Sequence, residues 1–215
     1  MCPNRKAKDG SYMYLFFDTE TTGLPKNWKA PVTDFDNWPR MVQIAWILSD
    51  ENGEEIEQAN HIIKPDGFVI PRAVTKIHGI SHEKAEKEGI LLSRALRNFA
   101  EAMSRSEVLV AHNISFDEKI VGAEFLRERI ASNLETIPKI CTMKISADYC
   151  KIKGKYGNKW PTLPELHYKL FDAGLEQAHN AAVDVRACVK SFFELQKLGV
   201  VDQSRFSSAY FHSAD

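Results

Sequence analysis

The sequence predicts an α/β protein built on one central mixed sheet covered by helices. Short apolar runs at Tyr12–Phe17, Met41–Leu48 and Ile56–Lys64 read as strands, and Asn52-Gly53 between the last two is a strong hairpin signal. Beyond residue 90 the apolar residues recur at helical spacing, broken by one further strand-like run, Val108-Leu109-Val110. Strands mixed with helices in one chain favour a single layered sheet over separate all-α and all-β parts.

The first run, Tyr-Met-Tyr-Leu-Phe-Phe, is continuous and aromatic, as expected of a strand buried on both faces. Thr21-Thr22-Gly23-Leu24-Pro25 closes it with turn chemistry. Lys26–Arg40, with Pro31, Pro39, Trp28 and Trp38, reads as an irregular insertion. Pro71–Glu88 is expected to form short helices around His78-Gly79-Ile80, and Leu91–Met103 a helix with Leu92, Leu96, Phe99 and Met103 on one face. Phe116, Ile120, Ala123, Leu126 and Ile130 mark an amphipathic helix with Ser115 as its expected N-cap. Leu163–Leu170 is a short helix. Ala181–Leu198 is the closing one, with Val185, Cys188, Val189, Phe192 and Leu195 inward and Gly199 ending it.

The 215 residues suffice for one domain, expected over 1–215 with its core at about 12–198. Composition is that of an ordinary globular chain, 44% hydrophobic and 27% charged. A net charge of -1 gives no global attraction for a polyanion, so nucleic-acid contact would have to be local. One stretch is lopsided: Lys139–Lys159 holds six lysines against Asp148, with Tyr149, Tyr156 and Trp160 nearby. It is a solvated loop or a track for phosphates with aromatic stacking on Tyr156 or Trp160. The cysteines Cys2, Cys141, Cys150 and Cys188 form no CxxC pair and have no zinc-finger spacing, which fits a reducing compartment. The run at Tyr12–Phe17 is too short for a signal segment or a membrane span, so a cytoplasmic protein without membrane contact is expected.

Three strings share one chemical theme: Asp18-Thr19-Glu20, His112-Asn113-Ile114-Ser115-Phe116-Asp117, and His179-Asn180-Ala181-Ala182-Val183-Asp184. Asp18 and Glu20 alternate along an extended segment, so both point to one face. Asp117 falls in the first turn of its helix, where the macrodipole favours an anion. Asp184 lies one turn inside the last helix, with His179 at its mouth. Each piece has a plainer reading: a solvated turn for Asp-x-Glu, a helix-dipole residue for Asp117, an Asn180 cap for His179-Asn180. His78 and His112 read as structural. Jointly, four carboxylates and one histidine suit hard divalent cations better than zinc. Two such ions about 3.5–4 Å apart can clamp the oxygens of an in-line displacement, with a neutral imidazole as base.

The strings Phe17-Asp18-Thr19-Glu20-Thr21-Thr22-Gly23-Leu24, His112-Asn113 with Phe116-Asp117, and His179-Asn180-Ala181 with Asp184 resemble those of the DEDDh 3′–5′ exonucleases, which include the epsilon proofreading subunit of bacterial DNA polymerase III. Ile77-His78-Gly79-Ile80 is similar to a further signature of that family. The resemblance runs from about residue 12 to 198. It implies a ribonuclease H-like fold with a five-stranded mixed sheet, and two Mg²⁺ (or Mn²⁺) held by Asp18, Glu20, Asp117 and Asp184. It implies His179 as general base, release of nucleoside 5′-monophosphates from single-stranded 3′ ends, and Thr21, Leu24, Ile80 and Phe116 around the terminal nucleotide. It also allows association with a DNA polymerase. DNA is the favoured substrate. The alternatives are an RNA-trimming exoribonuclease of the same family and a non-catalytic module that binds strand ends beside a polymerase. The sequence leaves the oligomeric state open.

Overall fold

The computed structural model describes residues 12–176 and 178–201. Its centre is a five-stranded sheet. The strands β1 (Tyr14–Thr21), β2 (Met41–Ser49), β3 (Glu55–Ile62), β4 (Val108–Ala111) and β5 (Lys139–Cys141) lie in the order β3-β2-β1-β4-β5. The β1–β2 and β2–β3 pairs are antiparallel, and β4 and β5 join in parallel, so the sheet is mixed as expected. The hairpin turn is closed by the Asp50 carboxylate, which accepts from the N–H groups of Asn52 and Glu54. β2 is buried at every position, whereas β3 is polar and half exposed, as suits an edge.

Each face of the sheet carries its own core. On one face Leu15, Phe17, Ile44, Trp46 and Leu109 pack against helices α3 (Leu92–Ser104) and α4 (Ile114–Arg127). On the other, Tyr14, Phe16, Ala45, Ile47, Val108 and Val110 meet α8 (Ala181–Lys197). The Phe192 ring sits 5.0 Å from that of Tyr14 and 5.3 Å from that of Phe16. Burying such a ring contributes on the order of 1.5–3 kcal/mol, and here it fixes the helix that carries Asp184. Two short helices, α1 (Arg72–His78) and α2 (His82–Glu88), fold over Val42 with Ile70, Ile80 and Ala85 as a satellite cluster. Between β5 and α8 lie α5 (Thr142–Ile145), α6 (Ala147–Cys150), a minute ribbon of β6 (Lys153–Gly154) with β7 (Gly157–Asn158), and α7 (Leu163–Phe171). Thr162 and Glu165 start α7 with a full capping box.

Two expectations need correction. α4 begins at Ile114, and its N-cap is Asn113, in the left-handed conformation at φ 70°, rather than Ser115. Asn tolerates that backbone better than most residues, and the turn lets the chain reverse directly off β4. The lysine-rich stretch begins with strand β5, not with a loop. At three residues, two of them buried, β5 is too short to show a period of its own.

The insertion after β1 is irregular, as expected, yet it is firmly anchored. Its ends are clasped where the Thr22 N–H donates to the Arg40 carbonyl and the Arg40 N–H donates to Thr22 Oγ1. Trp38 is buried, with Nε1 donating to the Pro31 carbonyl. Glu124 of α4, 0% exposed, accepts from Arg40 Nε at 3.0 Å and from the Met41 N–H at 2.9 Å, and pairs with Arg127 at 3.2 Å. Arg127 in turn donates to the carbonyls of Phe35 and Trp38. Removing one partner of a buried ion pair strands the others. Glu124→Ala is therefore expected to cost about 3 kcal/mol in denaturant unfolding, at the low end of that class because both arginines keep some solvent. Glu124→Gln, which keeps an acceptor, should cost clearly less; equal costs would show that the charge, not the acceptor, holds the loop.

Candidate active site

β1 runs past the end of its pairing with β4. The paired residues stop at Phe16 and Val110, so Asp18 to Thr21 extend beyond the ladder at the carboxyl end of both strands. Asp18 faces Ala45 across the ladder and Glu20 faces Gln43. Cross-strand partners share a face, so both acids point to the α8 side. There they meet Asp184, in the first turn of α8. Carboxylate oxygens of Asp18, Glu20 and Asp184 lie within 4.8 Å of one another.

Asp117 arrives from the opposite side. It stands in the first turn of α4 and is buried. Its Oδ1 accepts from the Thr19 N–H at 3.0 Å and from Thr19 Oγ1 at 2.7 Å. The structure thus gathers three of the four predicted acids into one cluster and sets the fourth beside them, braced by the residue between Asp18 and Glu20. Thr19 was not singled out from sequence, although its place inside Asp-x-Glu was the available signal.

The electrostatics are those of like charges crowded out of water. Burial, then Asp117, Asp184 and Glu20, push the Asp18 carboxyl well above the usual range. Burial and the charges of Asp184 and Asp117 raise Glu20 to about 8. Asp117 rises to about 7, mainly through burial, against the lowering by its hydrogen bonds from Thr19. Asp184 is also raised by burial, opposed by the His179 N–H and charge. Among the described residues no Lys or Arg forms a salt bridge with any of these four acids. An all-oxygen donor set of this kind is what a hard divalent cation requires.

His179 lies just ahead of α8, with φ 71°. Its N–H donates to Asp184 Oδ2 at 3.0 Å, and its imidazole is exposed with no hydrogen bond among the described residues. Asn180 caps α8 through the Ala182 N–H, the structural role anticipated for it. The next N–H, of Ala181, donates to Gln43 Oε1, while Gln43 Nε2 donates to Asn60 Oδ1. Gln43 therefore ties the start of α8 to the sheet below Glu20. A lone polar residue in the otherwise apolar Met41–Leu48 run was the sequence signal for it.

The remaining predicted residues divide. Leu24 is 73% exposed just past β1, and Phe116 is half-buried immediately before Asp117. Thr21 is buried, its hydroxyl donating to the Gly23 carbonyl at 2.6 Å. Ile80 is only 3% exposed and belongs to the satellite core. His112 is structural: its ring nitrogens lie 3.0 Å from Thr142 Oγ1 and from the Pro161 carbonyl, and burial lowers it to about 4. His78 is buried and accepts from the Ile80 N–H. Of the lysine-rich stretch, Lys139 pairs with Glu118 and Lys159 with Glu165, whereas Tyr156 is 89% exposed and Trp160 projects from the surface beside Lys144.

The chain is similar to DNA polymerase III PolC-type proteins. It is 30% identical over 182 residues to that of Streptococcus agalactiae and 30% identical to that of Streptococcus mutans. Those alignments take in 84% of the chain but only 11% of the far longer relatives. Among solved structures, exonuclease I superposes on 91% of the chain and 42% of its own length with a TM-score of 0.69 at 18% identity. E. coli exonuclease I in complex with a dT13 oligonucleotide gives 0.68 at 20% identity, over 90% of the chain and 42% of its own length. These likenesses identify the fold as ribonuclease H-like. No helix among the described residues is long and apolar enough to cross a membrane. The model of the RNase T exonuclease family matches residues 15–192, from β1 into α8 and across all four acids, and the chain belongs to that family of DEDD-type 3′–5′ exonucleases.

Proposed function

We propose that the protein is a metal-dependent 3′–5′ exonuclease that shortens single-stranded nucleic acid, DNA in preference to RNA, to nucleoside 5′-monophosphates in the cytoplasm. The observation that carries this is the meeting of Asp18, Glu20 and Asp184 within 4.8 Å, beside Asp117, in a chain of the exonuclease family. Residues 12–198 act as a single catalytic unit. The PolC-type relatives favour work beside a polymerase, and the oligonucleotide complexes of exonuclease I favour a DNA strand.

Asp18, Glu20, Asp117 and Asp184 would hold two Mg²⁺ or Mn²⁺. Bound divalent cations supply positive charge against the phosphodiester and lower the pKa of the attacking water. The chain's own residues do the rest. His179 takes the proton of that water on its unengaged imidazole. The new P–O bond forms as the bond to the 3′ oxygen breaks, leaving a 3′-hydroxyl on the shortened strand and a 5′-monophosphate on the released nucleotide. Leu24 and Phe116 flank the terminal nucleotide, with Thr21 shaping the turn beneath it and Ile80 backing the pocket. Lys153 and Lys155 on the exposed ribbon, and Lys151 just before it, offer phosphate contacts, with Tyr156 and Trp160 as stacking surfaces.

5′-Labelled DNA and RNA strands incubated with Mg²⁺ should give ladders receding from the 3′ end, faster on DNA. Asp18→Asn or a chelator should abolish them, and undiminished turnover by Asp18→Asn would overturn the reading. His179→Ala should slow turnover by about 10²–10⁴-fold while Mg²⁺ still raises the melting temperature, because its role is proton transfer rather than ligation.

The metal-free protein carries a second signature. Glu20 at about 8 and Asp117 at about 7 stand above their unfolded values near 4. The folded state therefore holds more protons between those limits. Their contribution is fully present below about pH 4 and is lost as pH rises through about 8. Melting temperature without metal should fall over that window, and excess Mg²⁺ should flatten the fall. A level metal-free profile would show that the carboxylates do not share one dry space.

A further inference from the structure

Trp28 is a large aromatic side chain with no place in the core. It stands on the insertion that follows β1 and is 51% exposed. Its ring lies 5.7 Å from that of Phe116 at an interplanar angle of 48°, and Phe116 directly precedes Asp117. The backbone beneath it is held rigidly. The Asn27 N–H donates to Asn37 Oδ1 at 2.6 Å, and Asn37 Nδ2 donates back to the Asn27 carbonyl at 3.0 Å. Asn37 is itself buried. The Lys29 N–H donates to Asn27 Oδ1, closing the turn over Trp28, and the Lys26 and Lys29 side chains are exposed on either side.

A buried polar clamp that presents an indole to solvent, against the ring that precedes Asp117 and with exposed Lys26 and Lys29 close by in the chain, is poorly explained by stability. An indole face left half in water gains little from folding, and a polar side chain would serve a surface turn as well. A nucleobase supplies what is missing. Stacking on an aromatic face tolerates any base and is sizeable for each base held, and flanking cations suit the phosphates on either side. We infer that Trp28 and Phe116 form an aromatic shelf on which a base near the 3′ end of the substrate strand stacks, so that Trp28 helps to set affinity for single strands. This rests on the exonuclease reading of the acid cluster and extends it to a residue of the chain's own insertion.

The test separates the two. Affinity is measured with a fluorescent single-stranded oligothymidylate in Ca²⁺, independently of turnover, and KM with Mg²⁺. Trp28→Ala should raise both Kd and KM by about tenfold, the scale of one lost base–aromatic stack. Trp28→Phe should recover most of the loss. Strands carrying an abasic site at each of the last three positions then locate the base: at one of them the penalty seen with the wild type should vanish in Trp28→Ala. Equal affinity of wild type and Trp28→Ala, or an unchanged abasic penalty at all three positions, would overturn the inference. So would loss in Trp28→Phe equal to that in Trp28→Ala together with a lowered melting temperature, which would mark Trp28 as a structural plug. A wild type that binds through Trp28 yet releases no mononucleotide would refute the nuclease reading and leave the shelf standing.

Discussion

Four acids crowd the end of β1, and among the described residues no Lys or Arg ion pair neutralises them. Carboxylates of Asp18, Glu20 and Asp184 approach within 4.8 Å, and Asp117 adds its field from the other face of the sheet. Such a cluster opposes folding. The apolar layers on both faces of the sheet must offset that repulsion, and the placement of the largest side chains reflects it. Tyr14, Phe16 and Phe192 lock α8 to the sheet two turns from Asp184, while Phe17 and Phe99 hold the opposite layer at 5.2 Å between ring centroids. The repulsion is confined to the mouth of the sheet, where the ladder between β1 and β4 has ended.

The acids come from distant parts of the chain because only separate elements can aim them at one point from different directions. β1 supplies two by its period of two. α8 approaches the same face from above and supplies the third. α4 starts on the other side, and its acid reaches the group only by binding Thr19, the inward neighbour of the first two. Thr19 thus converts a face-to-face separation into a fixed relation. Gln43 does the same for α8, taking the Ala181 N–H at 3.3 Å directly beneath Glu20. Neither residue is chemically reactive, and both are needed to set where the reactive ones stand.

The sequence made the fold class legible because the strong elements carry their own periodicity: the apolar β1 and β2, the Asn-Gly hairpin, and the long helices. It also marked the acids, since each string sits at the end of such an element. What it hid was local and short. β5 has three residues and no pattern of its own; it is a strand because β4 offers it a free edge. The start of α4 depends on Asn113 adopting a left-handed backbone, a choice imposed by the reversal off β4 rather than by the cap preference of Ser115. Ile80 lies in a string that resembles a family signature, yet it is buried against Val42, a residue far from it in the chain. The insertion read as a plain irregular loop because its order comes from Glu124 and Arg127, long-range partners that no local pattern announces, and from the Asn27–Asn37 clamp within it.

His179 shows how backbone and side chain can be given separate tasks at one position. Its left-handed φ turns the N–H toward Asp184 Oδ2 while Asn180, the next residue, caps the helix. The backbone thereby fixes one oxygen of the carboxylate and leaves the other for a ligand. The imidazole is spent on neither bond and is exposed. Because the backbone orients the Asp184 carboxylate and the ring makes no hydrogen bond among the described residues, a single residue can serve both the carboxylate cluster and the proposed proton transfer.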